Sequence, residues 1–335
     1  MNVKRDRSPV VEILLSTYNG EKYLKEQIDS LFAQTHKEWR LIVRDDGSTD
    51  STVEVVKGYQ SLHPGKVILV EDTEGRLGPT GSFSRLLENS TADYLMFCDQ
   101  DDVWLPEKME TTLARLRTLE SGFETMPLLV HTDLKVTDEG LNVIADSFLK
   151  YQNLDPGRKD LNNLLVFNNV TGCTVMMNRA LKDLATPIPA EAVIHDWWMA
   201  LVASAFGIIE YMNVPTVLYR QHAENVVGST GYSIRYFASR LKTIGSTAGL
   251  IRRMVRQASA LDDLYGERLS REKRLTVRTF STLLKRRRPA RLYTLYRYKF
   301  RGTGFFWNLG VISLWLLMSG EDGVRTYGTF KKDNA

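Results

Sequence analysis

Three short polar stretches hold the residues best suited to chemistry: Ser16-Thr17-Tyr18-Asn19-Gly20, Asp45-Asp46-Gly47-Ser48-Thr49-Asp50 and Asp99-Gln100-Asp101-Asp102. In the second, Asp-Gly is a common turn dipeptide and Ser and Thr are ordinary helix caps, so taken alone it favours a plain polar turn. In the third, Asp99 and Asp101 are two apart; on an extended chain both carboxylates reach one side. Carboxylates without thiols suit a hard divalent ion such as Mg²⁺ or Mn²⁺, which keeps open positions for phosphate oxygens. A solvated acidic turn is the bland alternative for an isolated D-x-D. An EF-hand loop is excluded, because the position needing glycine is Trp104.

The elements around these stretches alternate. Apolar runs at 10–15, 39–44, 66–71 and 93–98 predict strands. Between them, residues 21–34 carry Leu24, Ile28, Leu31 and Phe32 at helical spacing, a second helix starts near Thr49 or Asp50, a third covers 82–89, and a fourth opens at Pro106. This order predicts an α/β fold with a parallel, doubly wound sheet, whose ligands bind at the carboxyl ends of the strands. All three polar stretches fall at such ends. Further on, 127–138 and 171–178 read as strands, 195–207 as a helix begun by Asp196, and 208–211 and 215–220 as two more strands. Residues 232–300 read as basic helices with breaks at Gly245, Gly249, Gly266 and Pro289.

Charge is divided along the chain. Residues 252–301 hold sixteen Lys/Arg against four Asp/Glu, whereas residues 1–251 hold 25 against 33. A mildly acidic body with a basic region beyond it predicts an anionic surface as partner. Residues 302–320 carry no charge but are interrupted by Asn308 and several glycines. After the arginine-rich stretch they suit an interfacial anchor on an anionic leaflet better than a span. The alternative is a helix packed on the body, or on a second copy as a homo-oligomer. The apolar run near the start is too short and too polar for a signal peptide. Cys98 and Cys173 provide neither a disulfide framework nor a zinc pair, which predicts a reducing compartment. No G-x-G-x-x-G follows the first strand, which argues against a dinucleotide-dependent dehydrogenase.

In this order and at these strand ends, STYNG, RDDGSTD and FCDQDDVWLPEKM resemble the family-2 glycosyltransferases with a GT-A fold; residues 10–110 carry the resemblance and weaker motifs extend it to about 228. The resemblance implies a GT-A catalytic domain over 1–229, a Rossmann-like, doubly wound mixed sheet, followed by an α-helical, basic membrane-association or oligomerisation region over 230–335. It implies that Ser16, Tyr18, Asn19 and Asp46 hold the nucleoside, and that Asp99 and Asp101 hold the diphosphate and its Mn²⁺ or Mg²⁺. Physically, Tyr18 offers a face to the base and Asp46 can accept a base N–H. His222 resembles the histidine that completes such a metal shell, although a histidine after a strand is also commonly structural. Arg220 would contact the donor phosphates.

An inverting transfer also needs a base for the acceptor hydroxyl. By resemblance this is Asp196, in His195-Asp196-Trp197-Trp198, with His195 as a second candidate. If Asp196 caps its own helix, the cap fixes it in place and depresses its basicity. Gly172 resembles the family's small residue beneath the acceptor pocket, or is part of a core strand. The Tyr219-Arg220-Gln221-His222 stretch differs from the Q-x-x-R-W of processive synthases, which argues for adding one sugar or a few. The whole pattern is similar to bacterial rhamnosyltransferases of cell-wall rhamnan or capsular polysaccharide. That implies dTDP-β-L-rhamnose as donor, a polyprenyl-diphosphate-linked saccharide as acceptor, and a peripheral place at the cytoplasmic face of the membrane. Nothing in the spacing separates rhamnose from another hexose carried on UDP or dTDP. A non-catalytic nucleotide-sugar-binding protein is the alternative of a different class, against which Asp101 and Asp196 speak. Nucleic acid is not expected as a partner.

Overall fold

The computed structural model describes residues 9–222, 244–302 and 312–318. Strand β1 (Val11–Thr17) pairs in parallel with β2 (Trp39–Asp45) and with β4 (Tyr94–Cys98), and β2 pairs in parallel with β3 (Val67–Leu69). Val11–Leu15 and all of β4 are buried, as strands covered on both faces must be; this is why both read as apolar runs, the first interrupted only by Glu12, whose carboxylate is buried and accepts from Ser90, Thr91 and Ala92. Alternate residues feed two cores: Leu14 and Phe97 one, Ile13, Leu15 and Met96 the other. Helices α1 (Glu21–Phe32), α2 (Thr52–Leu62) and α3 (Gly78–Asn89) form the crossovers. The chain steps outward from β1 to β3 and returns to β4 on the other side of β1. That reversal makes the β1/β4 edge the topological switch point, where open α/β sheets take ligands.

Beyond β4 come β5 (Val103–Trp104), α4 (Lys108–Glu120), β6 (Leu128–Thr137), β7 (Val143–Ala145), α5 (Phe148–Tyr151), α6 (Leu161–Leu164), a 3₁₀ turn (Gly172–Thr174), β8 (Val175–Asn178), α7 (Arg179–Ala185), α8 (His195–Phe206) and β9 (Ile208–Arg220). β8 lies antiparallel between β4 and β6, β9 runs parallel to β6, and β5 closes the far edge against β9. The nine-stranded sheet is therefore mixed, with the order β3-β2-β1-β4-β8-β6-β9-β5 and β7 on β6.

Three local expectations are corrected. The two strands predicted over 208–220 are one, because register shifts around Asp133, which lies opposite Pro215, absorb the proline that cannot donate to the ladder. The strand predicted from 171 begins as a 3₁₀ turn, and α8 begins at His195 with Ile194 rather than Asp196 as its cap.

In the C-terminal part, α9 (Ile244–Tyr265) runs through Gly245 and Gly249, and Gly266 ends it, its N–H bonded to the Asp262 carbonyl at 2.7 Å. Helix α10 (Arg271–Ser281) follows, then α11 (Arg288–Arg297), in which Pro289 occupies the first turn and starts the helix instead of breaking it. Met254, Leu261 and Phe280 belong to the same buried cluster as Phe97 and Trp198, so these helices and the sheet share a core. The boundary expected at 229, and parts of the 302–320 segment, lie outside the described residues. The described part, 312–318, packs inward: Trp315 is fully buried edge-on to Phe280 at 5.5 Å, and Arg291 donates to the Trp315 and Met318 carbonyls at 2.8 and 2.6 Å. Those contacts hold one side of 312–318 to the body, while Leu317 on the same helical turn is exposed. Among the described residues, no helix is long and apolar enough to cross a membrane.

Candidate active site

At the carboxyl ends of β1 and β2, side chains lock two loops together. Asp45 makes the turn, accepting the N–H groups of Gly47 and Ser48 at 3.1 and 2.8 Å, with Gly47 at φ 87°. Asn19, itself at φ 48°, accepts the Thr49 N–H at 2.9 Å. Gln100 then clamps the Tyr18 backbone, accepting its N–H at 2.8 Å and donating to its carbonyl at 3.1 Å. The clamp requires Gly20, where a Cβ would lie 2.4 Å from the Gln100 side-chain oxygen. Ser16 donates to the Ser82 hydroxyl at 2.8 Å. The Arg76 guanidinium covers the Tyr18 ring at 3.8 Å. Asp46 is buried as the counter-ion of Arg44 at 2.7 Å, and also accepts the Leu77 and Gly78 N–H groups at 2.7 and 2.8 Å. Of the four lone-pair positions on its carboxylate, these three bonds leave one on Oδ2.

The acidic stretch splits into two groups. Asp101 Oδ2 lies 2.9 Å from His222 Nε2, and the His222 ring packs on Tyr23. Asp99 groups instead with Asp102 and Cys173, whose ligand atoms lie within 4.8 Å of one another. Asp102 is fully buried and its Oδ2 has no partner. Burial first, then the neighbouring Asp101, pushes the carboxyls of Asp99 and Asp102 up. Beneath them lies buried Lys108, its amine pushed down to about 8 by burial although Cys173, Cys98 and Asp102 oppose this. Crowded carboxylates with an orphaned oxygen, beside an Asp–His pair, form a donor set that fits a hard divalent cation.

Arg220 is held on several sides by groups of the fold. Its Nε donates to the Asp101 carbonyl at 2.9 Å, Nη1 to the Glu139 carbonyl at 2.5 Å, Nη2 pairs with Glu26, and its backbone N–H reaches Asp102 at 3.3 Å. It is a buttress beneath Asp101-Asp102, buried because acceptors within the fold satisfy it.

Asp196 sits in the first turn of α8, where Oδ1 accepts from Asn168 Nδ2 at 3.1 Å and Oδ2 from the Gly172 N–H at 2.9 Å. Burial nevertheless pushes its carboxyl up to about 7, outweighing the bonds from Gly172, Trp197 and Asn168. Asp196 is not the cap of its helix, and its carboxyl rises where a cap's would fall. Asp196 also contributes to raising Asp99, so the two carboxyls lie within electrostatic reach of each other. His195 is clasped by Phe83 at 3.9 Å and Phe97 at 4.8 Å, and neither ring nitrogen has a partner. Burial pushes it down to about 3, which leaves it neutral and a poor base. Gly172 leaves room for both, since a Cβ there would meet His195 Nε2 at 3.1 Å and Asp196 Oδ2 at 3.3 Å. Asn168, Gln100, Asp102 and Lys108 are site residues that sequence reasoning misses. Only Gln100 and Asp102, inside the acidic stretch, had any local signal.

The family model described as glycosyl transferase family 2 matches residues 12–185, just over half of the chain. The chain belongs to glycosyl transferase family 2. Among curated relatives, EpsE of Bacillus subtilis, which carries a glycosyltransferase name, is 35% identical over 109 residues, 32% of this chain and 38% of its own length. The dTDP-rhamnosyl transferase RfbG of Shigella flexneri is 27% identical over 229 residues, 64% of this chain and 74% of its own. The first of these matches therefore spans well under half of the relative. The fold is shared with S. aureus TarS 1–349, solved with UDP-GlcNAc, at TM-score 0.51 and 19% identity over 86% of this chain and 80% of that one. It is shared also with the mannosyltransferase PcManGT of Pyrobaculum calidifontis, solved with GDP-Man and Mn²⁺, at TM-score 0.51 and 15% identity over 92% and 79%. These likenesses make the GT-A architecture plain.

Proposed function

We propose that this family-2 protein is an inverting glycosyltransferase that moves a sugar from a nucleotide-sugar donor to an acceptor hydroxyl. The observation that carries the reading is Asp196: a fixed, buried carboxylate with a proton affinity near neutrality, set within electrostatic reach of Asp99. In the proposed step, Asp196 takes the proton of the acceptor hydroxyl as its oxygen bonds to the anomeric carbon. The bond from that carbon to the diphosphate breaks with its electron pair, and a single displacement inverts the centre. Asp101 and His222, with the neighbouring carboxylates of Asp99 and Asp102, would hold Mn²⁺ or Mg²⁺, which supplies charge neutralisation for the diphosphate. Ser16, Tyr18, Asn19 and Asp46 form the nucleoside side of the site, with Tyr18 and Arg76 as a stacked pair at its rim. Arg220 supports the acidic loop from below.

For the donor we propose dTDP-β-L-rhamnose, supported by the RfbG likeness, and for the acceptor a polyprenyl-diphosphate-linked saccharide, with the protein peripheral to the membrane that carries it. The test is incubation with Mn²⁺, a synthetic lipid-diphosphate saccharide and each common nucleotide sugar in turn, followed by weighing of the products. A deoxyhexose gain with dTDP-rhamnose alone supports class and donor together. A gain with a different sugar retains the class and replaces the donor. Nucleotide binding with no gain under any donor favours a binding protein.

A further inference from the structure

Helix α11 presents two unlike faces. Arg291, Thr294 and Leu295 are buried against the body, whereas Leu292, Tyr293 and Tyr296 are 47%, 66% and 73% exposed. Residues 285–301 contain eight Lys/Arg and no Asp/Glu, and of these cations only Arg291 is buried. Three large side chains in water beside unopposed positive charge form an unfavourable surface for a protein standing alone. An anionic partner with an apolar interior relieves both terms at once.

We propose that this outer face of α11 is a docking surface for an anionic lipid leaflet. Leu292, Tyr293 and Tyr296 enter the boundary between headgroups and acyl chains, the tyrosine hydroxyls staying at headgroup level, while Arg286, Arg287 and Arg288 meet the lipid phosphates. The surface is distinct from 312–318, where Trp315 and Met318 are buried against the body. Leu292 decides for lipid over nucleic acid, having neither a ring to stack on bases nor a charge for a phosphate backbone. The proposal deepens, and for its purpose rests on, the lipid-linked acceptor proposed above, but its contacts are read without turnover.

The test is co-sedimentation of the full chain with phosphatidylcholine vesicles and with vesicles that also contain phosphatidylglycerol, over a range of salt. Wild type should bind only the anionic vesicles, and less as salt rises. The triple change Leu292→Ser, Tyr293→Ser and Tyr296→Ser should weaken binding by at least about tenfold with the salt dependence retained. Arg286→Glu, Arg287→Glu and Arg288→Glu together should remove the preference for anionic lipid. All six positions are exposed, and an unchanged melting temperature confirms folding in each variant. Wild type that ignores anionic vesicles, or either variant binding as wild type does, would overturn the surface. Tighter binding of a mixed-sequence RNA at equal phosphate would overturn it in favour of nucleic acid. Sugar transfer to a soluble acceptor without vesicle binding removes this surface alone; vesicle binding without transfer under any donor removes the transferase reading alone.

Discussion

Asp196 combines the two properties a proton acceptor needs, a fixed position and a raised proton affinity. Asp196→Asn should lower turnover by about 10²–10⁴-fold with nucleotide affinity by calorimetry nearly unchanged. An unchanged rate would place the base elsewhere. Since the carboxyl must be ionised to act, kcat/KM should fall as pH drops through about 7. The stability effect has the opposite sense. A carboxyl whose folded value lies above its unfolded one contributes stability at low pH and loses it as pH rises through about 7. Asp196→Asn should therefore gain melting temperature relative to wild type between pH 5 and pH 8; a pH-independent difference would refute the buried charge. Asn168 donates to Asp196 and so holds its carboxyl down. Asn168→Ala should reduce kcat about tenfold and move the acid limb to higher pH, and a limb that stays in place would leave Asn168 a purely structural role. His222→Ala should weaken Mn²⁺ binding by at least about tenfold in a titration followed by calorimetry, whereas an identical isotherm would exclude His222 from the ligand set.

The elements position these residues through close backbone approach at a few points. Gly207 ends α8 and turns directly into β9, and a Cβ there would lie 1.7 Å from the Pro127 carbonyl oxygen. A backbone carbonyl at the entrance to β6 has no rotamer by which to escape, so Gly207→Ala should cost about 3 kcal/mol in denaturant unfolding. A shift within error would mean that the α8–β9 corner relaxes. The alternation of β1 to β4 with their helices was legible because β1, β2 and β4 are largely buried on both faces. β5, β7, α5 and α6 were not legible: each is four residues or fewer, too short for any period to show.

At the scale of the whole molecule, the C-terminal helices complete the core of the sheet. Arg291 fastens this arrangement, donating to the carbonyls of Leu284, Arg286, Trp315 and Met318 at 2.6 to 2.8 Å. Arg291→Ala should strand these carbonyls, cost about 3 kcal/mol and expose 312–318 to hydrogen exchange. Protection equal to wild type would show that Trp315 alone holds the segment.

The order of strands and helices and the strand-end position of the three polar stretches follow from residue types and spacing along the chain; the candidate roles of Asp99, Asp101, Asp196 and His222 came from the resemblance of the motifs that hold them. Local sequence carries the order and the strand ends because burial on two faces and turn chemistry leave local marks. The partners were decided only in three dimensions. Nothing near Arg220 in sequence announces that Glu26 and the Asp101 carbonyl will claim it. Nothing near Asp46 announces that it will neutralise Arg44 as well as receive the Leu77 and Gly78 amides. Along the chain Asp196 reads as the base by resemblance, or as a cap whose basicity would be depressed. Its carboxyl rises instead because tertiary packing removes water from around it, and desolvation, unlike hydrogen-bonding pattern, has no signature in the neighbouring residues.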